Sequence, residues 1–154
     1  MTTSPNLKNY TTKVPAEQTA AEVTGILVRH GARQISQEYD EAQNVVGLSW
    51  LARTPYGDIP FRLPVNAERC FRVMVKQRLV RNDAEGMAQA RMTAWRITKD
   101  WIAAQMALIQ TEMADLAEVL LPYALVDKDT TVYQRMLAGR FAQLALQAPE
   151  EAKR

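Results

Sequence analysis

One cysteine, Cys70, and one histidine, His30, are all that the 154-residue chain holds of its most reactive side chains. That excludes an internal disulfide, fits a reducing compartment, and leaves an ordinary zinc site without enough ligands. Six glycines are spread along the chain with no Gly-rich phosphate loop, and no GxSxG, HExxH or CxxC pattern occurs. Glu151-Ala152-Lys153 falls in the terminal tail, so a metal-dependent nuclease site lacks its Glu-x-Lys core. A Cys70/His30 pair is formally able to support nucleophilic catalysis. Cys70 precedes Phe71 within a helical pattern, however, and reads as small core filler, while His30 closes a helix on its apolar side as a packed or capping residue. Glu38, Asp40, Glu41 and Asp58 flank strands and could gather around a metal, but turn and edge carboxylates are ordinarily solvated. The reading is a protein with no catalytic residue, no metal and no cofactor.

Long hydrophobic runs are also missing. No segment approaches the roughly 20 apolar residues needed to cross a bilayer, and the first fifteen residues lack the apolar centre of a signal peptide. No membrane partner and a cytoplasmic location are therefore expected. Aromatic residues are 7% of the chain and the formal net charge is +2, so bulk charge points to neither a nucleic-acid binder nor a DNA mimic.

What is present is periodicity. Residues 1–8 read as a flexible leader, and Asn9 to Val14, rich in Thr and Tyr, as a short strand. Pro15 suits the first turn of a helix that carries Val23, Ile26, Leu27 and His30 and ends at Gly31. Arg33 to Tyr39 alternates, as do Val46 to Ala52 and Ile59 to Leu63, with Thr54-Pro55-Tyr56-Gly57 a tight turn between the last two. Asn66 is the N-cap of a second helix with Phe71, Met74, Val75 and Leu79 on its apolar face. The fold class that follows is α+β, a small antiparallel sheet of three or four strands covered by helices, in one domain over 9–148. Its sheet module spans about 9–80 and its helical part about 83–148. The tail 149–154 is read as frayed.

From Met87 to Tyr123 the pattern predicts one long helix, capped by Asp83. Met92, Trp95, Ile102, Met106, Ile109, Met113, Leu116 and Leu120 fall on one stripe, and from Ile102 onward they repeat at alternating spacings of four and three, the seam of a helix pair or coiled coil. Ala94, Ile97, Trp101, Ala104 and Leu108 form a second stripe. The front half is thus expected to be sandwiched, and the rear half to project toward a last helix (Tyr133, Met136, Leu137, Phe141, Leu144) or toward a self or host protein partner.

Charge is polarised along the chain. Residues 62–99 hold nine basic side chains against three acidic, and residues 100–130 six acidic against one basic, net +6 and −5. On one continuous helix this opposes the macrodipole. The basic half either holds phosphates, with Arg69, Arg72 and Lys76 on one exposed helical face joined by Arg81 and Arg96, or is solvated, or meets the acidic half of another copy. The order helix, three antiparallel strands, helix from Pro15 to Val80 is that of double-stranded-RNA-binding domains. Their Gly-rich turn and paired lysines are absent, so the likeness is one of element order.

Four blocks, NYTTKV (9–14), TPYGDIPFRLP (54–64), AWRITKDWIAAQMALI (94–109) and EVLLPYAL (118–125), resemble a family of small bacteriophage and integrated mobile-element proteins. The resemblance implies a mobile-element setting in a bacterial host and no active residues. It favours action on nucleic acid or interference with host defence. Together with the charge map it leads to a non-enzymatic, nucleic-acid-associated binding protein. The alternative is an oligomeric interaction or inhibitor protein that binds a host protein or nucleotide signal through the Ile102–Leu120 seam.

Overall fold

Residues 7–145 are described by a computed structural model. Helix α1, Ala16–Arg29, begins after Pro15 and turns Ala16, Thr19, Ala20, Val23 and Leu27 inward at spacings of three and four. His30 closes it, with Nδ1 2.9 Å from the Ile26 carbonyl oxygen. Strands β1 (Ala32–Tyr39), β2 (Val45–Thr54) and β3 (Gly57–Pro64) follow as an antiparallel meander in the order β1-β2-β3. The β2–β3 turn is tied by Thr54, whose hydroxyl donates to the Gly57 carbonyl (2.7 Å) and accepts from the Tyr56 N–H (3.1 Å). Gly57 takes φ +111°, which its missing Cβ permits. Alternation turns Leu48, Trp50 and Ala52 of β2 inward beside Phe61 and Leu63 of β3, all buried, with the Trp50 and Phe61 rings stacked at 5.6 Å.

Helix α2, Ala67–Lys76, is capped by the Asn66 side chain, which accepts from the Arg69 N–H at 3.0 Å. Asp83 caps α3, Ala84–Gln110, by accepting from the Gly86 N–H at 2.8 Å. The 27 residues of α3 make a rod of roughly 40 Å. It packs on α1 and on α2, and the fully buried Trp95 donates its Nε1–H to the Val45 carbonyl of the sheet at 3.1 Å. The two stripes of its front half are explained by these several neighbours. The architecture is α+β, with one core running from α1 through the sheet to α3 and the segment beyond it.

Four expectations are corrected. No strand forms at 9–14, and among the described residues the sheet has three strands. The segment turns through Asn9 at φ +63°, and α3 side chains satisfy its carbonyls in place of a ladder. Gln89 donates to the carbonyls of Tyr10 (3.0 Å) and Thr12 (2.8 Å), and Thr93 to that of Asn9 (3.1 Å). Asn9 donates in turn to Asp100 at 2.8 Å.

The predicted single helix from Met87 to Tyr123 ends at Gln110. Glu112 takes φ +59°, its N–H bonds to Ile109 O (3.1 Å), and the Met113 N–H reaches back to Leu108 O (3.0 Å). This is the Schellman closure, built here with Glu where Gly is usual. Asp115 then accepts from the Glu118 N–H at 2.8 Å and starts a new short helix, α4, Leu116–Leu120, followed by a tight turn at Leu121–Tyr123. The chain folds back: the rings of Trp101 and Tyr123 meet edge to face at 5.4 Å, whereas 22 residues of unbroken helix would separate them by about 33 Å.

The break also removes the conflict with the helix dipole, the third correction. Glu112, Asp115 and Glu118 lie beyond α3, and the last two sit at the N-terminus of α4, where negative charge is favoured. Beyond α4, Ala124 bridges Phe61 and the Leu125 N–H bonds to Pro60 O (2.9 Å), so this segment covers part of the free edge of β3.

The last helix is broken as well. Thr131 and Gln134 form a capping box at the start of α5, Val132–Arg135. A wide turn follows at Met136–Arg140, interrupted at Gly139 (φ +118°), and then a 3-10 turn at Phe141–Gln143. Most of the predicted leader 1–8 and all of the predicted tail 149–154 lie outside the described residues. Of the leader, Lys8 pairs with Asp100 at 3.2 Å.

Candidate nucleic-acid interface

Helical spacing puts Arg69, Arg72 and Lys76 at i, i+3 and i+7 on one face of α2, and all three are exposed. Met74 holds the opposite face in place, fully buried, so these cations are held on a fixed element. Arg72 has one loose partner, Glu68 at 3.8 Å, with its side chain 69% exposed; such a pair contributes little. Arg69 and Lys76 make no ion pair among the described residues, and neither do Arg78 and Arg81 in the link to α3. Residues 66–82 hold five basic side chains (Arg69, Arg72, Lys76, Arg78, Arg81) and one acidic (Glu68), net +4.

Arg96 does not join this set. Its side chain is 21% exposed and faces α1, where its guanidinium lies 2.7 Å from Glu22 and Lys99 lies 2.8 Å from the same carboxylate. The Lys99 hydrogen bond is foremost, with Gln18 and Arg96 assisting, in holding the Glu22 carboxyl below its ordinary range. Arg96 is a structural cation, and the sequence pattern alone could not distinguish it from the free ones because its partner sits 74 residues away.

Arg69 also borders a groove of about 750 Å³ between the sheet, the start of α2, the start of α3 and the chain from Pro122 to Leu137. Arg62, Arg69 and Arg91 line it together with Tyr123, Tyr133 and Leu137. Three carboxylates, Glu38, Asp40 and Glu68, line it as well, and Glu68 is the loose partner of Arg72 at 3.8 Å. Glu38 accepts from Ser49 (2.6 Å) and pairs with Arg62 (3.1 Å). Asp40 accepts from the Asn44 N–H (2.8 Å), the main cause of its lowered pKa, to which Arg91 adds a smaller electrostatic share. Arg69 and Arg91 have no carboxylate within ion-pairing distance among the described residues, although the Asp40 charge lies near enough to Arg91 to be felt. The groove is not legible in the sequence: Arg91 stands there only as one of nine basic residues over 62–99, and nothing local in the chain says that Tyr133 comes to line the same groove.

The predicted partner seam has a different fate. Ile102, Met106 and Leu120 are buried in the chain's own core, and Ile109 and Leu116 are half-buried against it. Only Met113 is exposed, at 68%. A partner would have to open the core to reach the first three. The correction has the same cause as the helix break: once the chain reverses at Thr111, Leu116 and Leu120 join the core that Ile102 and Met106 line.

The candidate chemistry set aside from sequence is dispersed. The Cys70 thiol lies 3.7 Å from the Met74 sulfur, and burial raises its pKa, favouring the unreactive protonated form. Asp58 pairs with Arg33, and among the described residues no three His, Cys, Asp or Glu side chains gather as a metal site. No helix among them is long and apolar enough to cross a membrane. Compared with protein-family models, curated proteins and solved structures, the chain finds no match.

Proposed function

We propose that the protein is a non-enzymatic, nucleic-acid-associated binding protein that contacts phosphates through the exposed basic face of α2, with Arg69, Arg72 and Lys76 as its centre and Arg81 as its extension. The observation that carries this reading is the split in the basic half of the chain. Arg62, Arg96 and Lys99 are matched by carboxylates at 3.1 Å or less, while the cations of α2 and its following link stand exposed with one loosely held acidic neighbour. A surface that concentrates unmatched charge on a rigid helix suits a polyanion whose counterions it displaces. The resemblance of the chain to phage and mobile-element proteins makes the cytoplasm of a bacterial host the setting in which it would act.

The test is fluorescence anisotropy with labelled oligonucleotides over a salt series. Affinity is expected to fall steeply with salt. The double reversal Arg72→Glu/Lys76→Glu should weaken binding and flatten the dependence of log K on log salt by at least about 1.4, from roughly 0.7 per phosphate contact on a single strand and 0.9 on duplex DNA. Unchanged affinity and slope in that variant would remove the reading.

A further inference from the structure

We infer that the groove beside α2 receives an unpaired nucleotide, so that the preferred ligand is single-stranded nucleic acid. This rests on the nucleic-acid reading above and specifies which form is bound. A nucleotide unit is half anion and half flat apolar ring, and the groove offers a partner to each half beside its three carboxylates, Glu38, Asp40 and Glu68. Arg69 and Arg91 supply guanidiniums without ion-pair partners among the described residues. Tyr133, Leu137 and Pro122 supply an apolar lining. Tyr133 is 50% exposed, and its ring is braced edge to face by Phe141 at 5.8 Å, which leaves it both accessible and held. Exposed aromatic rings combined with a cationic track are what single strands use, because every unstacked base offers a π-face.

Two features favour a strand over an isolated small anion. Arg69 belongs both to the groove and to the α2 face, so a chain with one base in the groove continues directly onto Arg72 and Lys76. The cations from Arg69 to Lys76 extend along the helix by about 10 Å, longer than one phosphate group needs. A paired base within a duplex has both faces covered and cannot enter.

The experiment compares a labelled oligo-dT strand with a hairpin duplex of equal length, using the full chain and the variants Tyr133→Ala, Tyr133→Phe, Arg91→Gln and Arg72→Glu/Lys76→Glu. Thermal melts check that each variant is folded. The strand is expected to bind more tightly than the duplex. Tyr133→Ala should weaken strand binding by about tenfold or more with no change in salt slope, and Tyr133→Phe should restore it. Arg91→Gln should lower the single-strand slope by about 0.7. If Tyr133→Ala and Arg91→Gln bind the strand like the parent while the α2 reversal abolishes binding, the groove assignment is overturned and the α2 reading stands. Preference for the duplex overturns the groove assignment in the same way. If poly-glutamate displaces the strand as well as unlabelled oligo-dT does, recognition is by charge alone and the groove assignment falls. Absence of binding to either nucleic acid overturns both.

Discussion

Thr19 sits fully buried on α1, and its hydroxyl has no hydrogen-bond partner among the described residues. Leaving a polar atom dry costs about 1–3 kcal/mol, and an apolar group of the same shape relieves that cost. Thr19→Val is therefore expected to raise unfolding free energy by about 1 kcal/mol in urea titration; a loss would mean that the hydroxyl is satisfied after all. Gly86 has the opposite character. A Cβ there would lie 1.9 Å from the carbonyl oxygen of Arg81 and 3.2 Å from the Phe71 ring, and that carbonyl already accepts from the Asp83 N–H. Ala would improve helix propensity by up to about 1 kcal/mol, but the overlap with backbone decides the sign. Gly86→Ala should lower stability by about 1–3 kcal/mol, read as a reduced denaturation midpoint. Neither effect follows from residue type alone: a helical Thr and a Gly near an N-cap are each ordinary until the neighbours are known.

Among the elements, the sheet and the capped helix starts were the most legible. Alternation in β2, the Thr54–Gly57 turn and the caps Asn66 and Asp83 are local patterns whose causes lie within a few residues. The end of α3 is not legible, because the left-handed residue that closes it is Glu112 and not Gly, and the apolar seam runs on across the break; the interruption of the last helix, in contrast, has a local signal in Gly139. Asp115 followed three residues later by Glu118 was the signal that could have revealed the break after α3, since that spacing marks a helix start. The segment 9–14 departs from its local pattern for a related reason. Its Thr- and Tyr-rich composition favours extended backbone, but its carbonyls are answered by Gln89 and Thr93 on α3. Gln89→Ala should leave two carbonyls short of a donor and lower stability by about 1–2 kcal/mol. Hydrogen exchange should show the loss concentrated in residues 9–14 and the facing turns of α3; an evenly spread change would argue against this clamp.

Across the molecule, charge is distributed by function of place. The pairs of Glu22 with Arg96 and Lys99 join α1 to α3, and that of Asp100 with Lys8 ties the N-terminal segment to the same helix. Glu22 has a lowered pKa in the folded chain, so it contributes stability above the ordinary glutamate value of about 4.3. That contribution is lost as pH falls through the folded value, below 4.3 or so. Glu22→Gln is expected to melt at a lower temperature than the parent at neutral pH and to lose less on acidification across that window. The residual acid sensitivity belongs to Asp40, Asp100 and Asp127, which are also held ionised by hydrogen bonds. Parallel melting curves for the two proteins through that range would refute the assignment.

By itself, the sequence determined the α+β class, the three-strand meander, the start of each longer helix and the exposed basic face of α2, because each rests on contacts within a turn or a hairpin. The tertiary structure alone decided which cations remain unmatched. Arg96 meets Glu22 from 74 positions away, while Arg69 and Arg91 have no carboxylate within ion-pairing distance among the described residues. It also decided that the Ile102–Leu120 seam closes on the chain itself, and that Tyr133 shares a groove with Arg69. The last two outcomes depend on one reversal of the chain after Gln110, whose local sequence signal is weak and whose consequence is long-range packing.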